Sequence, residues 1–103
     1  MSDSFEQLFK DIVEWQNQVF TQATSQSRVE HLYREARELK ENPSDAAEMA
    51  DVLFLLVGLA AGEGVNLLEA GRKKLEINKR RQWGQPDAQG VVEHVRMRVV
   101  EED

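Results

Sequence analysis

Two pairs of acidic residues have the spacing and the chemistry of a metal site. Glu35 and Glu38 form one pair, Glu48 and Asp51 form the other, and each pair is three positions apart. On a helix, side chains with this spacing lie one turn apart on the same face. The pairs flank a break at 42–44, Asn-Pro-Ser, so a helical hairpin would bring all four carboxylates together. Because like charges brought together repel each other, such a cluster usually binds a hard divalent cation. A site that holds Mg²⁺ in this way would suit a phosphate ester as substrate.

The neighbouring apolar residues favour a functional role for these acids. Leu32 and Leu39 lie on roughly the same side of their helix as the first pair, and Asp51 directly precedes an apolar run. A carboxylate beside a core is expensive to bury unless it is paired or bound to a metal.

A structural explanation of the same acids stays open at this point. Glu48 could act as the third residue of a capping box that begins at Asp45. The first pair could instead form surface ion pairs, which stabilise a fold only slightly. The arginines available for such pairs are Arg28, Arg34 and Arg37.

A stripe of basic and polar residues provides a complement to the acids. Lys74, Asn78 and Arg81 recur at helical spacing, and asparagine has a poor propensity for a helix interior. Lys74 and Arg81 could hold phosphate oxygens, and Asn78 could hydrogen-bond the substrate or fix a carboxylate. Trp15 and Phe20 are stacking candidates if there is a nucleobase pocket, although aromatic residues at helical spacing are more often part of a core.

Composition excludes several classes of protein. The chain has 103 residues, which predicts one domain spanning 1–103, and a net charge of −6, which argues against nucleic-acid binding. With no cysteine and two histidines, any metal site must use mainly oxygen ligands, which favours Mg²⁺, Mn²⁺ or Ca²⁺. Of these we expect Mg²⁺, with Mn²⁺ as a substitute. No signal peptide and no membrane-spanning stretch is found, so we expect a soluble, cytoplasmic protein without a membrane partner.

Four helical segments follow from apolar periodicity and from the residues that start and end helices. The predicted N-terminal signals are Ser4, Ser27, Ser44 or Asp45, and Asn66. We expect the first helix to reach Phe20, the second to stop near Glu41 before Pro43, and the fourth to run to about Gln82. The third helix, apolar all round over 52–57, should be the most buried. Short loops predict an all-α four-helix bundle.

The segment from Gly90 onward has a different pattern. Its valines alternate with charged residues, which is compatible with a short strand or with an extended arm that packs on another subunit.

Three motifs in order resemble a known superfamily. Residues 35–38 are Glu-Ala-Arg-Glu, residues 48–53 are Glu-Met-Ala-Asp-Val-Leu, and residues 74–81 are Lys-Leu-Glu-Ile-Asn-Lys-Arg-Arg. This set resembles the all-α nucleoside triphosphate pyrophosphohydrolases of the MazG-like superfamily. The segments 83–87 and 90–95 look like the small phage and bacterial branch with a dATP/dGTP pyrophosphohydrolase-type domain.

The resemblance implies a MazG-like four-helix bundle that acts as a homodimer or homotetramer. It also implies Mg²⁺-dependent cleavage of a nucleoside triphosphate between the α and β phosphates. By position, Lys74 and Asn78 would contact the substrate, with Arg81 a less secure match. The four acids Glu35, Glu38, Glu48 and Asp51 would hold the metal, and either Glu35 or Glu38 would orient the attacking water or take its proton.

One residue departs from the family pattern. Many members carry a further glutamate immediately before the first acidic pair, where this chain has Arg34. The number of ions and the identity of the general base therefore stay open.

Two other classes of protein compete with the enzyme. One is a non-catalytic helical-bundle protein that binds a partner, with the acids as exposed charge. The other is a ferritin-like carboxylate protein, but such sites use Glu-x-x-His pairs, and neither His31 nor His94 lies three residues after a glutamate.

Overall fold

The computed structural model describes residues 4–96, and these form four α-helices. Helix α1 spans Phe5–Val19, α2 spans Ser25–Glu41, α3 spans Ala46–Gly62 and α4 spans Leu67–Arg80. The prediction of an all-α chain with four helices is confirmed. Helices α1 and α4 end one and two residues earlier than expected, at Val19 rather than Phe20 and at Arg80 rather than Gln82.

The starts of α1 and α2 are set by side chains that accept backbone hydrogen bonds. Ser4 accepts from the amide of Gln7, as predicted, but the Gln7 side chain bonds Asp11 instead of closing a capping box. The predicted start of α2 at Ser27 is wrong, because the N-cap is Thr24. Thr24 and Ser27 close a reciprocal capping box, since each hydroxyl accepts from the backbone amide of the other residue. Helix α2 is therefore longer at its N-terminus than the sequence pattern indicated.

The turn between α2 and α3 is short and well defined. Helix α2 ends at Glu41, before Pro43, and Asp45 is the N-cap of α3. The Asp45 carboxylate accepts from the amides of Ala47 and Glu48 at 3.0 and 3.1 Å. This turn makes α2 and α3 a helical hairpin, with one acidic pair on each side of the turn.

Two compact units divide the chain, Met1–Leu67 and Leu68–Asp103. In the first unit, α2 and α3 pack extensively on each other and α1 packs on α3. Within residues 4–96 the buried apolar residues are Ile12, Val57 and Ala60, of which two belong to α3. The predicted role of α3 as the most buried helix is consistent with this core. The prediction of a single domain over 1–103 stays a prediction.

The second unit contains α4 and a segment that folds back on itself. An isolated antiparallel bridge joins Trp83 to His94, and it is supported by hydrogen bonds from the Gly84 amide to the Glu93 carbonyl and from the Val95 amide to the Gln82 carbonyl. The expected strand or arm from Gly90 is thus a single bridge as far as residue 96. Its remainder, with Val99 and Val100, lies outside the described residues.

Among helices within 4–96, none is both long enough and apolar enough by itself to cross a membrane. Only α3 and α4 counted together, across the break between them, meet the length and composition required.

Candidate metal centre and nucleotide cavity

Three carboxylates converge near the turn that joins α2 and α3. One oxygen from each of Glu35, Glu38 and Glu48 lies within 4.8 Å of the other two. Glu35 and Glu48 are half-buried, whereas Glu38 is exposed. The i, i+3 spacing on α2 and the short turn to α3 produce this cluster.

The electrostatics of the cluster are those of a site that needs a positive charge. The pKa of Glu48 is raised from 4.5 to about 8. The largest cause is the side-chain hydrogen bond with Glu35, followed by the one with Glu38, by desolvation and by the negative charges of these two neighbours. A proton on Glu48 therefore takes the place that a cation would otherwise fill. Carboxylate oxygens at this separation are suitable ligands for Mg²⁺ or Mn²⁺, so the donor set fits a hard divalent ion.

The arginines considered as surface partners do not neutralise the cluster. Arg34 pairs with Glu30 at 3.0 Å, and the Arg37 guanidinium lies 5.6 Å from the centre of the Tyr33 ring. Glu35 instead contacts His31, whose Nε2 lies 3.4 Å from a Glu35 oxygen. Glu48 does follow the Asp45 cap, but its side chain turns to the other acids. These contacts favour a functional role of the acids over a purely structural one.

A cavity of about 600 Å³ opens beside the acidic cluster, entirely within the first unit. Its volume falls within the range typical of small-molecule sites. Glu35 and Asp51 line one part of the wall, and Trp15, Phe20 and Phe54 supply aromatic surface. Trp15 and Phe20 meet edge-to-face with ring centres 5.4 Å apart, and both are about half exposed. The cavity thus combines carboxylates with exposed aromatic rings, which are the two kinds of surface that a nucleotide requires.

Some of the residues predicted from the sequence lie in the acidic cluster and others only line the cavity beside it. Glu35, Glu38 and Glu48 form the cluster, and Asp51 lies outside this trio but lines the same cavity as Glu35. Trp15 lines the cavity as expected for a base-stacking residue.

Lys74, Asn78 and Arg81 belong to the second unit. There, Arg81 Nη1 lies 3.4 Å from Asn78 Oδ1 and 3.4 Å from His94 Nδ1, and the Trp83 indole donates to the Asn78 carbonyl. Their contact with the substrate stays a prediction.

The cavity residues that were not selected from the sequence include two polar ones, Gln16 and Arg28. Gln16 follows Ile12 by four residues in the apolar stripe of α1, and a polar residue at that position was a usable signal. Arg28, His31 and Glu35 also share one face of α2. No sequence pattern indicates that the glycines of α3 make room for Arg28.

The fold and the site together define a class of protein, the MazG-like pyrophosphohydrolases. The structure of a cyanophage S-2L MazG-like pyrophosphohydrolase, bound to dGDP and three catalytic Mn²⁺ ions per active site, matches with a TM-score of 0.79. It is 30% identical in sequence, and the match covers 92% of this chain and 100% of that one.

Within that class, this chain belongs to the dATP/dGTP pyrophosphohydrolase family, whose model matches residues 8–102. A cyanophage S-2L protein described as a dATP/dGTP diphosphohydrolase is 45% identical over 51 residues. That aligned segment is 50% of this chain and 48% of the curated relative, so it spans about half the length of each. The family resemblance inferred from the three motifs is confirmed.

Proposed function

We propose that this protein hydrolyses the purine deoxynucleotides dATP and dGTP to the monophosphate and pyrophosphate, using Mg²⁺ or Mn²⁺. The observation that carries the proposal is the convergence of three carboxylates beside an aromatic-lined cavity of nucleotide size. Family membership supports the substrate, and the dGDP and Mn²⁺ of the cyanophage structure support the ligand classes.

Glu35, Glu38 and Glu48 would hold the first cation, and Asp51 would contribute from the neighbouring wall. A bound divalent ion supplies charge neutralisation at the phosphate oxygens and favours ionisation of a water. If three ions bound, as in the cyanophage structure, their positive charge would exceed that of the trio, so Asp51 would add a fourth carboxylate and the substrate phosphates would balance the rest.

Other side chains would position the substrate and transfer a proton. Glu38 is the more exposed acid of the first pair, so it can reach a water and accept its proton in an in-line attack on phosphorus. Trp15 would stack on the base. From α4, Lys74 and Arg81 would bind phosphate oxygens and Asn78 would hydrogen-bond the substrate.

The decisive experiment is an assay of the canonical dNTPs and NTPs with Mg²⁺ or Mn²⁺, with pyrophosphate and phosphate measured separately. We expect pyrophosphate and a monophosphate from dATP and dGTP. Release of phosphate alone would contradict the proposed bond cleavage. Turnover of no nucleotide, together with no thermal stabilisation by either metal, would favour the alternative of a non-catalytic partner-binding protein.

The role of Glu38 has a matched control on the same helix. Glu38→Gln should lower turnover by about 100-fold or more while the helical content is unchanged. Glu41→Gln removes the same charge from an exposed position outside the cluster and should leave turnover within about twofold. Equal activity of the two variants would refute the assignment of Glu38.

The cellular setting is part of the same proposal. We infer a cytoplasmic homodimer or homotetramer that acts on free nucleotides rather than on nucleic acid, in keeping with the net charge of −6.

A further inference from the structure

Two polar side chains in the cavity wall, Gln16 and Arg28, have no part in the acidic cluster. Gln16 is 7% exposed, and its Nε2 donates to the Phe54 carbonyl at 3.0 Å. That bond fixes the amide, so the Oε1 atom is left as an acceptor. Within residues 4–96 no donor is bonded to Oε1, and Oε1 is not among the fully buried atoms that lack a partner. Since Gln16 lines the cavity, this oxygen is accessible from it.

Arg28 supplies a donor next to this acceptor. It is half-buried, and within residues 4–96 no carboxylate forms an ion pair with it. A guanidinium carries several donors in a rigid plane and remains charged, so a half-buried arginine without an anionic partner favours a ligand with acceptor atoms.

Two glycines of α3 create the space for both side chains. A Cβ on Gly58 would lie 2.6 Å from Gln16 Oε1 and 3.3 Å from Arg28 Nε, and a Cβ on Gly62 would lie 2.7 Å from Arg28 Nη1. The acceptor and the donor therefore lie side by side against the backbone of α3. Any other residue at these two positions would displace them.

The position of Arg28 along α2 indicates which part of a nucleotide it meets. Arg28 and Glu35 are seven residues apart on one face, which places them about 10 Å apart along the helix axis. If Glu35 holds the metal and its phosphates, Arg28 lies about one nucleoside length away in the same cavity, next to Gln16, whose chain neighbour Trp15 also lines the wall.

We propose that Arg28 and Gln16 read the edge of the purine base through one donor and one adjacent acceptor. The inference rests on the proposed function and deepens it, because it assigns the residues that select the base. In guanine, O6 accepts from Arg28 and N1–H donates to Gln16. In adenine, shifted by one position along the same edge, the 6-amino group donates to Gln16 and N7 accepts from Arg28. One pair of side chains thus serves both purines.

The test compares natural substrates with an analogue that has no polar edge. Indole 2′-deoxyriboside triphosphate keeps the bicyclic shape but lacks the purine donors and acceptors. Arg28→Met should lower kcat/KM for dATP and dGTP by about 10- to 100-fold and leave the indole analogue within about twofold. Arg34→Met is the matched control, because Arg34 is 67% exposed and pairs with Glu30, and it should change neither substrate.

Gln16 needs a second design because it is buried. Gln16→Leu should lower kcat/KM for dATP and dGTP but not for the indole analogue. A melting temperature measured in parallel reports whether this variant is folded. If it does not fold, Gly58→Ala displaces the Gln16 oxygen without removing the amide and should reproduce the selective loss.

Two outcomes separate this inference from the proposed function. An equal loss with dGTP and with the indole analogue in Arg28→Met would mean that Arg28 holds phosphate or sugar, and would overturn the inference. If the wild-type protein released pyrophosphate from no nucleotide, the proposed function would fail. Calorimetric binding of dGMP and of the indole monophosphate to wild type and Arg28→Met would then decide base reading without any turnover.

Discussion

A proton and a metal ion compete for the same three carboxylates at Glu48. Without a cation, the Glu48 pKa of about 8 means that the native protein keeps a proton that an unfolded chain would release above pH 4.5. Occupancy by a divalent ion removes the need for that proton, because the ion satisfies Glu35, Glu38 and Glu48 together.

This competition predicts an unusual pH dependence of stability. Between pH 4.5 and 8 the native state binds more protons at Glu48 than the unfolded state does, so the free energy of unfolding falls as pH rises. The contribution is fully present below about pH 4.5 and is lost as pH rises through about 8. Thermal unfolding in EDTA should show this decline, and stabilisation by Mg²⁺ or Mn²⁺ should grow over the same interval.

Glu48→Gln is the control for this prediction. Glutamine cannot ionise but keeps the shape of the protonated acid, so the decline with pH in EDTA should flatten. If wild type and Glu48→Gln lose stability with the same slope, another group is responsible.

At the scale of helices, the sequence predicts the end of a helix correctly where the residue at that position has only one structural role available. Helix α2 ends before Pro43 as expected, and of the two candidate starts of α3, Ser44 and Asp45, the N-cap is Asp45. The start of α2 was misassigned because Ser27 fits two overlapping capping patterns, as the first residue with Glu30 or as the last with Thr24. Which residue caps α2 depends on which of the two backbone conformations is more stable in the folded protein, and the local sequence does not determine that.

The site was predictable to a similar extent. Spacing predicted that four carboxylates converge. Helical periodicity and the short turn do bring Glu35, Glu38 and Glu48 together, whereas the fourth acid, Asp51, lies outside this trio. Arg28 and Gln16 were missed because their roles depend on space left by glycines thirty or more residues away. Such complementarity between distant segments has no local signature.

The glycines of α3 give a prediction with an internal control. Gly58→Ala places a methyl group 2.6 Å from Gln16 Oε1, and overpacking of this kind costs about 1–3 kcal/mol. Gly71→Ala in α4 meets nothing within 4 Å and should stabilise the protein by about 0.5–1 kcal/mol, because alanine restricts the unfolded chain. Chemical denaturation of both variants measures the difference. A stabilising Gly58→Ala would show that the contact with Gln16 relaxes freely.

At the scale of the whole molecule, the chain leaves much apolar surface exposed. Phe5 is 69% exposed and Val19 51%, whereas the buried apolar residues within 4–96 are three aliphatic ones. Exposed apolar area of this extent is typical of surfaces that bind another protein. A small chain gains burial most simply by closed association with copies of itself.

We therefore expect a homo-oligomer in solution. Sedimentation equilibrium should give a dimer or a tetramer, and the melting temperature should rise with protein concentration because association stabilises the folded chain. A monomeric mass at high micromolar concentration, with a melting temperature independent of concentration, would contradict this expectation.

The short turn at 42–45 also has a kinetic consequence. The carboxylates that cluster are at most thirteen residues apart in sequence, so closing the hairpin between α2 and α3 loses little chain entropy. Contacts between residues so close in sequence form early in folding. The mutually repelling acids are therefore brought together while most of the chain is still unfolded. Above pH 8, where Glu48 is ionised, refolding in stopped-flow experiments should be faster with Mg²⁺ than with EDTA. The acids would then determine how quickly this protein reaches its fold, in addition to what the fold does.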